Sequence, residues 1–128
     1  MKLIDTHAHL NFAAFDDDHE TVVENSLGEG IFMINASANF ESSRAAAKIA
    51  QKYETGVWTA IGLHPLNLSA QKRISRDLPE DFCEDGFSAE KYFLLAESKK
   101  VVAIGEIGLD YYYKPKTNIK IEAMKAAQ

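Results

Sequence analysis

The sequence predicts an α/β fold in which helices cover a parallel sheet. Four short and nearly continuous apolar runs alternate with segments of helical periodicity. Strands of this kind are buried on both faces, which favours parallel pairing with helical crossovers. Open α/β sheets and (β/α)8 barrels share this pattern, so periodicity leaves both architectures open. The predicted strands span residues 2–6, 31–34, 57–61 and 101–105. The predicted helices span about 18–27, 39–53, 88–99 and 118–128.

Local signals mark the ends of the first two helices. Asp17 followed by Glu20 resembles a capping box, and Gly28 or Gly30 ends the first helix. Small and apolar residues then recur at helical spacing along the second helix, which indicates one face turned to a core. Gly56 stops that helix just before the third strand.

The second half of the chain begins with a long irregular stretch, residues 62–87. A loop with a helical turn is expected there, and loops of this length are usually functional or loosely ordered. Ser88 fits the N-cap of the third helix, with Phe87 and Tyr92 placed as a hydrophobic staple. After the fourth strand and Pro115, the last helix begins near residue 118.

Composition indicates one globular domain without a membrane segment. A chain of 128 residues is long enough to bury a core, and Asp5 interrupts the first apolar run before it could form a signal peptide. Cys83 is the only cysteine, which excludes an internal disulfide and favours a cytoplasmic location; its acidic neighbours favour an inert thiol. The net charge of −5 argues against a broad grip on duplex DNA but allows an enzyme that holds a phosphate through metal ions.

Metal-binding residue types stand at the ends of predicted strands. His7 and His9 follow the first strand, share one face, and lie about 7 Å apart along the backbone. Glu106 has apolar neighbours on a predicted buried strand, where a carboxylate rarely sits without a cation or a donor. Taken singly, each has an equally good structural explanation, as a hydrogen-bonded core histidine or a paired glutamate. Because all three end strands on one rim, together they predict a metal site.

His64 follows the third strand and has three interpretations. It could be a further imidazole ligand, a phosphate contact or a structural turn histidine. Asp110 and Tyr111 lie just past Glu106, so they are candidates to line the same site. The sequence contains no glycine-rich nucleotide-binding loop.

Four motifs in series resemble those of the TatD-type metal-dependent deoxyribonucleases. They are Asp-Thr-His-Ala-His-Leu at 5–10, Asn-Phe-Glu-Ser-Ser at 39–43, Gly-Leu-His-Pro at 62–65 and Ala-Ile-Gly-Glu-Ile-Gly-Leu-Asp-Tyr-Tyr at 103–112. Many amidohydrolase-type barrels share the first motif, whereas the last is far more specific. The resemblance covers nearly the whole chain and is loosest between residues 66 and 87.

The resemblance implies a TIM barrel with two divalent metal ions, Mg, Mn or Zn, at its C-terminal face. It implies hydrolysis of phosphodiester bonds in DNA, often at a single-stranded 3′ end. His7 and His9 match the paired ligands of one metal, and Glu106 matches the carboxylate that bridges both. His64 matches a substrate-contacting position near the scissile phosphate. The implied catalytic residues are Glu106 and His64, and the substrate-binding residues are His64, Asp110 and Tyr111.

A (β/α)8 barrel takes about 250 residues, whereas this chain has only four strand–helix units. Residues 1–128 are therefore expected to be the N-terminal half of one such domain, truncated within the fourth helix, with at most one partial metal site and with weak or no activity alone. Its open edges predict poor stability, self-association or a second polypeptide. The alternatives are an amidohydrolase-like enzyme acting on a small amide or ester, and a non-catalytic remnant that needs a partner chain.

Overall fold

A computed structural model describes residues 1–67, 87–112 and 118–128 of the chain. Its four strands form one parallel sheet in the order β1-β2-β3-β4. The strands are β1 (Leu3–Ala8), β2 (Ile31–Asn35), β3 (Val57–Ile61) and β4 (Val101–Ile104). The helices are α1 (His19–Gly28), α2 (Phe40–Gln51), α3 (Ala89–Ala96) and α4 (Asn118–Ala127). Within the described ranges, no helix is long and apolar enough to cross a membrane.

The predicted strands and helices are all present, with small differences at their ends. β1 continues to Ala8, so His7 lies in the strand rather than after it. α3 ends at Ala96, three residues before the expected end at 99. Of the long predicted loop, the structure describes a 3-10 turn at Pro65–Asn67. Residues 68–86, which include Cys83, and residues 113–117 lie outside the described ranges.

The predicted capping box at Asp17 is wrong. Asp18 is the N-cap of α1, and its side chain makes no cap hydrogen bond. Because the helix begins one residue later than the pattern suggested, Glu20 occupies the second helical position and cannot reach back to close a box. Its carboxylate pairs instead with Lys52, just past the end of α2.

A complete capping box forms at the start of α2. The Asn39 side chain accepts from the Ser42 backbone N–H at 2.8 Å, and Ser42 Oγ accepts from the Asn39 N–H at 2.9 Å. At α3 the staple is present, because the Phe87 and Tyr92 rings stack with centroids 5.3 Å apart. Ser88 is the N-cap there, without a side-chain cap hydrogen bond.

The core lies between the sheet and the first two helices. Its central members come from every layer: Leu10, Val23, Met33, Ala50 and Val57. The outer strands are much more open, with Leu3 of β1 65% exposed and Ile104 of β4 62% exposed. Among the described strands β1 and β4 each pair on one side only, so the predicted open edges are present in this part of the chain.

Candidate metal centre

β1 contains one extra residue where it approaches the candidate site. Asp5 lies opposite Met33 and Ala8 lies opposite Asn35, so three steps along β1 match two steps along β2. Paired residues of neighbouring strands share a face, which places Ala8 with Met33 and Asn35 on the helix-covered face. Without this bulge, His7 would lie opposite Asn35 on that covered face. The bulge therefore turns His7 to the other face, as bulges near active sites commonly do.

The Asp5 side chain stabilises this turn of the strand. Its Oδ1 accepts a hydrogen bond from the His7 backbone N–H at 2.9 Å. A bulge interrupts the regular hydrogen bonds between two strands, so some backbone groups lose their usual partners. The Asp5 carboxylate replaces the missing acceptor for the His7 N–H. Asp5 thus helps to determine where the His7 imidazole points.

His7, His9 and Glu106 form one group, whose ligand atoms lie within 4.8 Å of one another. His7 Nε2 is 2.8 Å from Glu106 Oε1. His9 Nδ1 is 3.1 Å from the carbonyl oxygen of Ala36. Because a carbonyl only accepts, His9 Nδ1 carries the proton and the free lone pair lies on Nε2. The Phe12 ring stacks on His9 with centroids 4.5 Å apart, which restrains the imidazole plane.

These donors fit a divalent metal ion. Imidazole nitrogen and carboxylate oxygen bind such ions at about 2.0–2.2 Å, so two ligand atoms around one ion lie about 3–3.5 Å apart. The separations in the group, from 2.8 Å to at most 4.8 Å, bracket that range. The His7 and Glu106 side chains are 57% and 28% exposed, so an ion could reach them from solvent. Three protein ligands leave coordination positions open for substrate or water.

Glu106 lies just past β4, and the expectation that it sits within a buried strand is wrong. Its neighbours Ile104 and Ile107 are 62% and 66% exposed, because β4 is an outer strand of the sheet. The Glu106 N–H donates to the carbonyl of Ser37 at 3.0 Å, which ties it to the residues that follow β2. Glu106 is thus positioned by its backbone rather than by apolar burial.

The approach of Glu106 requires a glycine at position 62. A Cβ built on Gly62 would lie 2.6 Å from the carbonyl carbon of Gly105 and 2.8 Å from the backbone carbonyl oxygen of Glu106. The Gly105 N–H meanwhile donates to the carbonyl of Ile61 at 2.8 Å. The chain after β4 therefore passes directly over the end of β3, in a space that no side chain could share.

His64 lies outside the three-ligand group. Its Nδ1 accepts a hydrogen bond from the Leu66 N–H at 3.1 Å, so the neutral ring carries its proton on Nε2. Nε2 is then a donor without a free lone pair, which favours a phosphate contact over metal ligation. The same Leu66 contact organises the turn at Pro65–Asn67, so the structural interpretation of His64 also has support.

A cleft of about 600 Å³ brings the remaining predicted residues together. Its lining includes His64, Glu106, Asp110 and Tyr111. The Asp110 carboxylate accepts from the Tyr112 N–H at 2.7 Å, so it also shapes the loop after β4. The structure thus places Glu106 of the metal group and the predicted substrate-binding residues around a shared opening.

Three further residues shape the site without having been predicted as site residues: Asp5, Phe12 and Gly62. Asp5 and Gly62 stand inside motifs that the resemblance singles out, and that placement was the only signal for them. Their contacts are to backbone atoms, which leave no residue pattern to detect. Phe12 follows His9 by three residues on an irregular segment, where periodicity does not predict stacking.

Comparison with known proteins identifies relatives along the whole chain. The family model described as TatD related DNase matches residues 4–127. YabD of Bacillus subtilis, named an uncharacterized metal-dependent hydrolase, is 34% identical over 113 residues, which cover 87% of this chain and 38% of that protein. The 3′-5′ ssDNA/RNA exonuclease TatD of Klebsiella pneumoniae is 30% identical over 132 residues, which cover 98% of this chain and 43% of that protein.

A solved structure shares the fold. The crystal structure of YjjV, a TatD homologue from Escherichia coli K12, matches with a TM-score of 0.63 and 26% identity over 98% of this chain and 43% of that chain. Together with the parallel four-stranded sheet, this match confirms the predicted α/β fold of TIM-barrel type, with four strand–helix units. The chain spans about two-fifths of the length of these relatives.

Proposed function

Since this chain belongs to the TatD related DNase family, we propose that its candidate metal centre serves the hydrolysis of phosphodiester bonds in DNA. The family consists of metal-dependent hydrolases, and relatives carry that description or the name of a single-strand exonuclease. The observation that carries the proposal is the convergence of His7, His9 and Glu106 beside an open cleft. Ligands from opposite outer strands meet there, which chance placement of surface residues does not explain.

Each residue of the site has a role in this proposal. His7, His9 and Glu106 would hold the ion, with His9 presenting Nε2 because Ala36 engages its other nitrogen. A divalent ion, when bound, supplies Lewis acidity and lowers the pKa of a water molecule. His64 would donate its Nε2–H to a phosphate oxygen and so help to stabilise the charge that develops there.

The substrate we propose is the 3′ end of single-stranded DNA. An open cleft can hold the end of a single DNA strand by a few contacts. A net charge of −5 disfavours the broad interface that duplex DNA would need. Tyr111 is 44% exposed in that cleft, where an aromatic ring can stack on a base. Asp110 would shape the loop that carries Tyr111. We place the reaction in the cytoplasm, in keeping with a single cysteine.

We also propose that further strand–helix units complete the barrel and a second metal position. The outer strands β1 and β4 have open sides, and Leu3 and Ile104 are largely exposed on them. Relatives are more than twice as long as the matched region. The completing units could belong to a longer polypeptide, to a second polypeptide or to another copy of this chain.

The test is cleavage of a 5′-labelled single-stranded oligonucleotide by the 128-residue chain with Mn²⁺ or Mg²⁺. Because the chain carries one partial metal site, we expect only weak formation of 3′-shortened products, and we expect it to disappear with EDTA and in the His7→Ala, His9→Ala double variant. His19→Ala is the matched control, because His19 lies in the first turn of α1. Parallel assays on a small ester and a small amide test the amidohydrolase alternative. A folded chain that binds no Mn²⁺ by calorimetry would contradict the metal centre itself.

A further inference from the structure

Three consecutive backbone carbonyls, those of residues 36–38, each hold a different part of the site. The carbonyl of Ala36 faces His9 Nδ1 at 3.1 Å. The carbonyl of Ser37 accepts from the Glu106 N–H at 3.0 Å, and that of Ala38 accepts from the His64 N–H at 2.8 Å. The segment that follows β2 therefore contacts the groups that follow β1, β3 and β4. We call residues 36–38 the carbonyl segment.

The carbonyl segment is buried, and Ser42 hydrogen-bonds to its last residue, Ala38. Its three residues are at most 4% exposed. Ser42 Oγ accepts from the N–H groups of Ala38 and Asn39, each at 2.9 Å, and donates to the Asn39 carbonyl at 3.0 Å. A hydroxyl has one donor and two acceptor positions, and all three are used here.

We propose that Ser42 is a positioning residue for the metal centre, acting through the carbonyl segment. The proposal rests on the proposed function, because it assumes that His9 and Glu106 bind an ion. An ordinary capping box satisfies N–H groups at a helix start. In this chain the same box also holds two of the three carbonyls, because the Ala38 and Asn39 N–H groups share peptide planes with the carbonyls of Ser37 and Ala38. Those two carbonyls contact Glu106 and His64, and the Ala36 carbonyl, which faces His9, belongs to the next peptide along the same segment. The Asn-Phe-Glu-Ser-Ser motif at 39–43 thereby acquires a role, although its side chains are not among the candidate ligands.

The carbonyl segment joins parts of the site that are distant from it in the sequence. Each of the three contacts joins residues that are 26 or more positions apart along the chain. Side chains of such distant residues would need separate partners to be aligned. One short segment with three consecutive carbonyls contacts all three groups. The Ser42 hydroxyl bonds this segment at Ala38, the Ala36 N–H donates to the Ala8 carbonyl at 2.7 Å, and the Asn67 side-chain amide donates to the Ala38 carbonyl.

The test compares three substitutions in the 128-residue chain. Ser42→Ala removes the three hydrogen bonds, Ser42→Thr keeps the hydroxyl, and Ser26→Ala is the matched control. Ser26 Oγ donates to the Val22 carbonyl within α1, so its loss removes a serine hydroxyl bond away from the site. The two readouts are the imidazole ¹⁵N chemical shifts of the metal-free protein and the Mn²⁺ dissociation constant by calorimetry.

We expect Ser42→Ala to shift the nitrogen resonances of His9 and His64 while leaving those of His19 in place. Mn²⁺ binding should weaken about 10-fold, the lower end of the range for a group that orients metal ligands. Ser42→Thr should restore both readouts, and Ser26→Ala should change neither. If Ser42→Ala does not fold, Ser42→Cys supplies the same comparison, since a thiol has similar shape but hydrogen-bonds weakly.

Unchanged His9 and His64 resonances in a folded Ser42→Ala or Ser42→Cys protein would overturn the proposal. So would equal shifts in the Ser26→Ala control, which would indicate a general loss of stability. The metal-free shifts also separate this inference from the proposed function. If the chain binds no Mn²⁺ but Ser42→Ala shifts the His9 and His64 resonances, the proposed metal centre fails and the positioning role of Ser42 stands. If all variants bind Mn²⁺ equally well, only the positioning role fails.

Discussion

Replacing Gly62 by alanine tests whether the close approach of two backbones positions Glu106. Gly62 follows β3, and the chain after β4 passes over it. A Cβ at position 62 would lie 2.6 Å from the carbonyl carbon of Gly105 and 2.8 Å from the carbonyl oxygens of Gly105 and Glu106. All three are backbone atoms, so rotation of a side chain cannot relieve the contact.

The geometry indicates the size of the effect. Ordinary contact begins at 3.4 Å, so the two segments must separate by about 0.6–0.8 Å. Such overpacking costs about 1–3 kcal/mol of unfolding free energy. The same movement lengthens the Glu106–Ser37 hydrogen bond, now 3.0 Å, and shifts the carboxylate away from His7. Disturbing a group that orients a ligand weakens metal binding by about 10–100-fold.

Urea unfolding and Mn²⁺ calorimetry measure the two effects separately. We expect Gly62→Ala to lose both stability and affinity, whereas the control Gly28→Ala should lose neither. Gly28 ends α1, and a Cβ built there meets nothing within 4 Å. A Gly62→Ala protein that is less stable but binds Mn²⁺ normally when folded would refute the positioning argument. In that case the backbone would relax without moving the carboxylate.

Three other features of the chain give shorter predictions. Asp5→Ala should weaken Mn²⁺ binding about 10-fold in calorimetry, because the His7 N–H in the bulge loses its acceptor. The Asp5→Asn variant keeps an oxygen acceptor at this position and should bind Mn²⁺ nearly normally. The hydrogen bond and charge of Lys52 lower the pKa of Glu20 in the folded protein. The pair therefore stabilises the fold at pH values above the ordinary glutamate pKa, and this stabilisation is lost as the pH falls through the lowered pKa of the folded state. An NMR titration of Lys52→Met should show the Glu20 midpoint rising, and an unchanged midpoint would mean that the pair is absent in solution. Met124 of α4 is 1% exposed, so Met124→Ala should cost about 2–5 kcal/mol in a urea melt; a loss well below 1 kcal/mol would indicate that α4 is not docked.

The order and type of the strands and helices could be predicted because each depends on local patterns. The apolar run of β3 is bounded by Gly56 and Gly62, and its predicted and observed ends coincide. The start of α1 was less predictable, because three aspartates in succession offer several equivalent caps. Glu20 then pairs with Lys52, which lies 32 residues away, and closes no box in its own turn. Long-range competition of this kind is invisible to a local pattern.

The ligand types could also be predicted, but not the means by which they meet. His7 and Glu106 are recognisable because metal-binding side chains at strand ends are uncommon. Their 2.8 Å contact depends on features that carry no chemical signature in the sequence: one extra residue in β1, a missing Cβ at Gly62 and the direction of the carbonyl segment. The latter two act through the main chain, and two of the three carbonyl-segment residues are alanines. A site assembled in this way is sensitive to changes that conserve every ligand, which is why substitutions at Gly62 and Ser42 test its construction more directly than removal of a histidine.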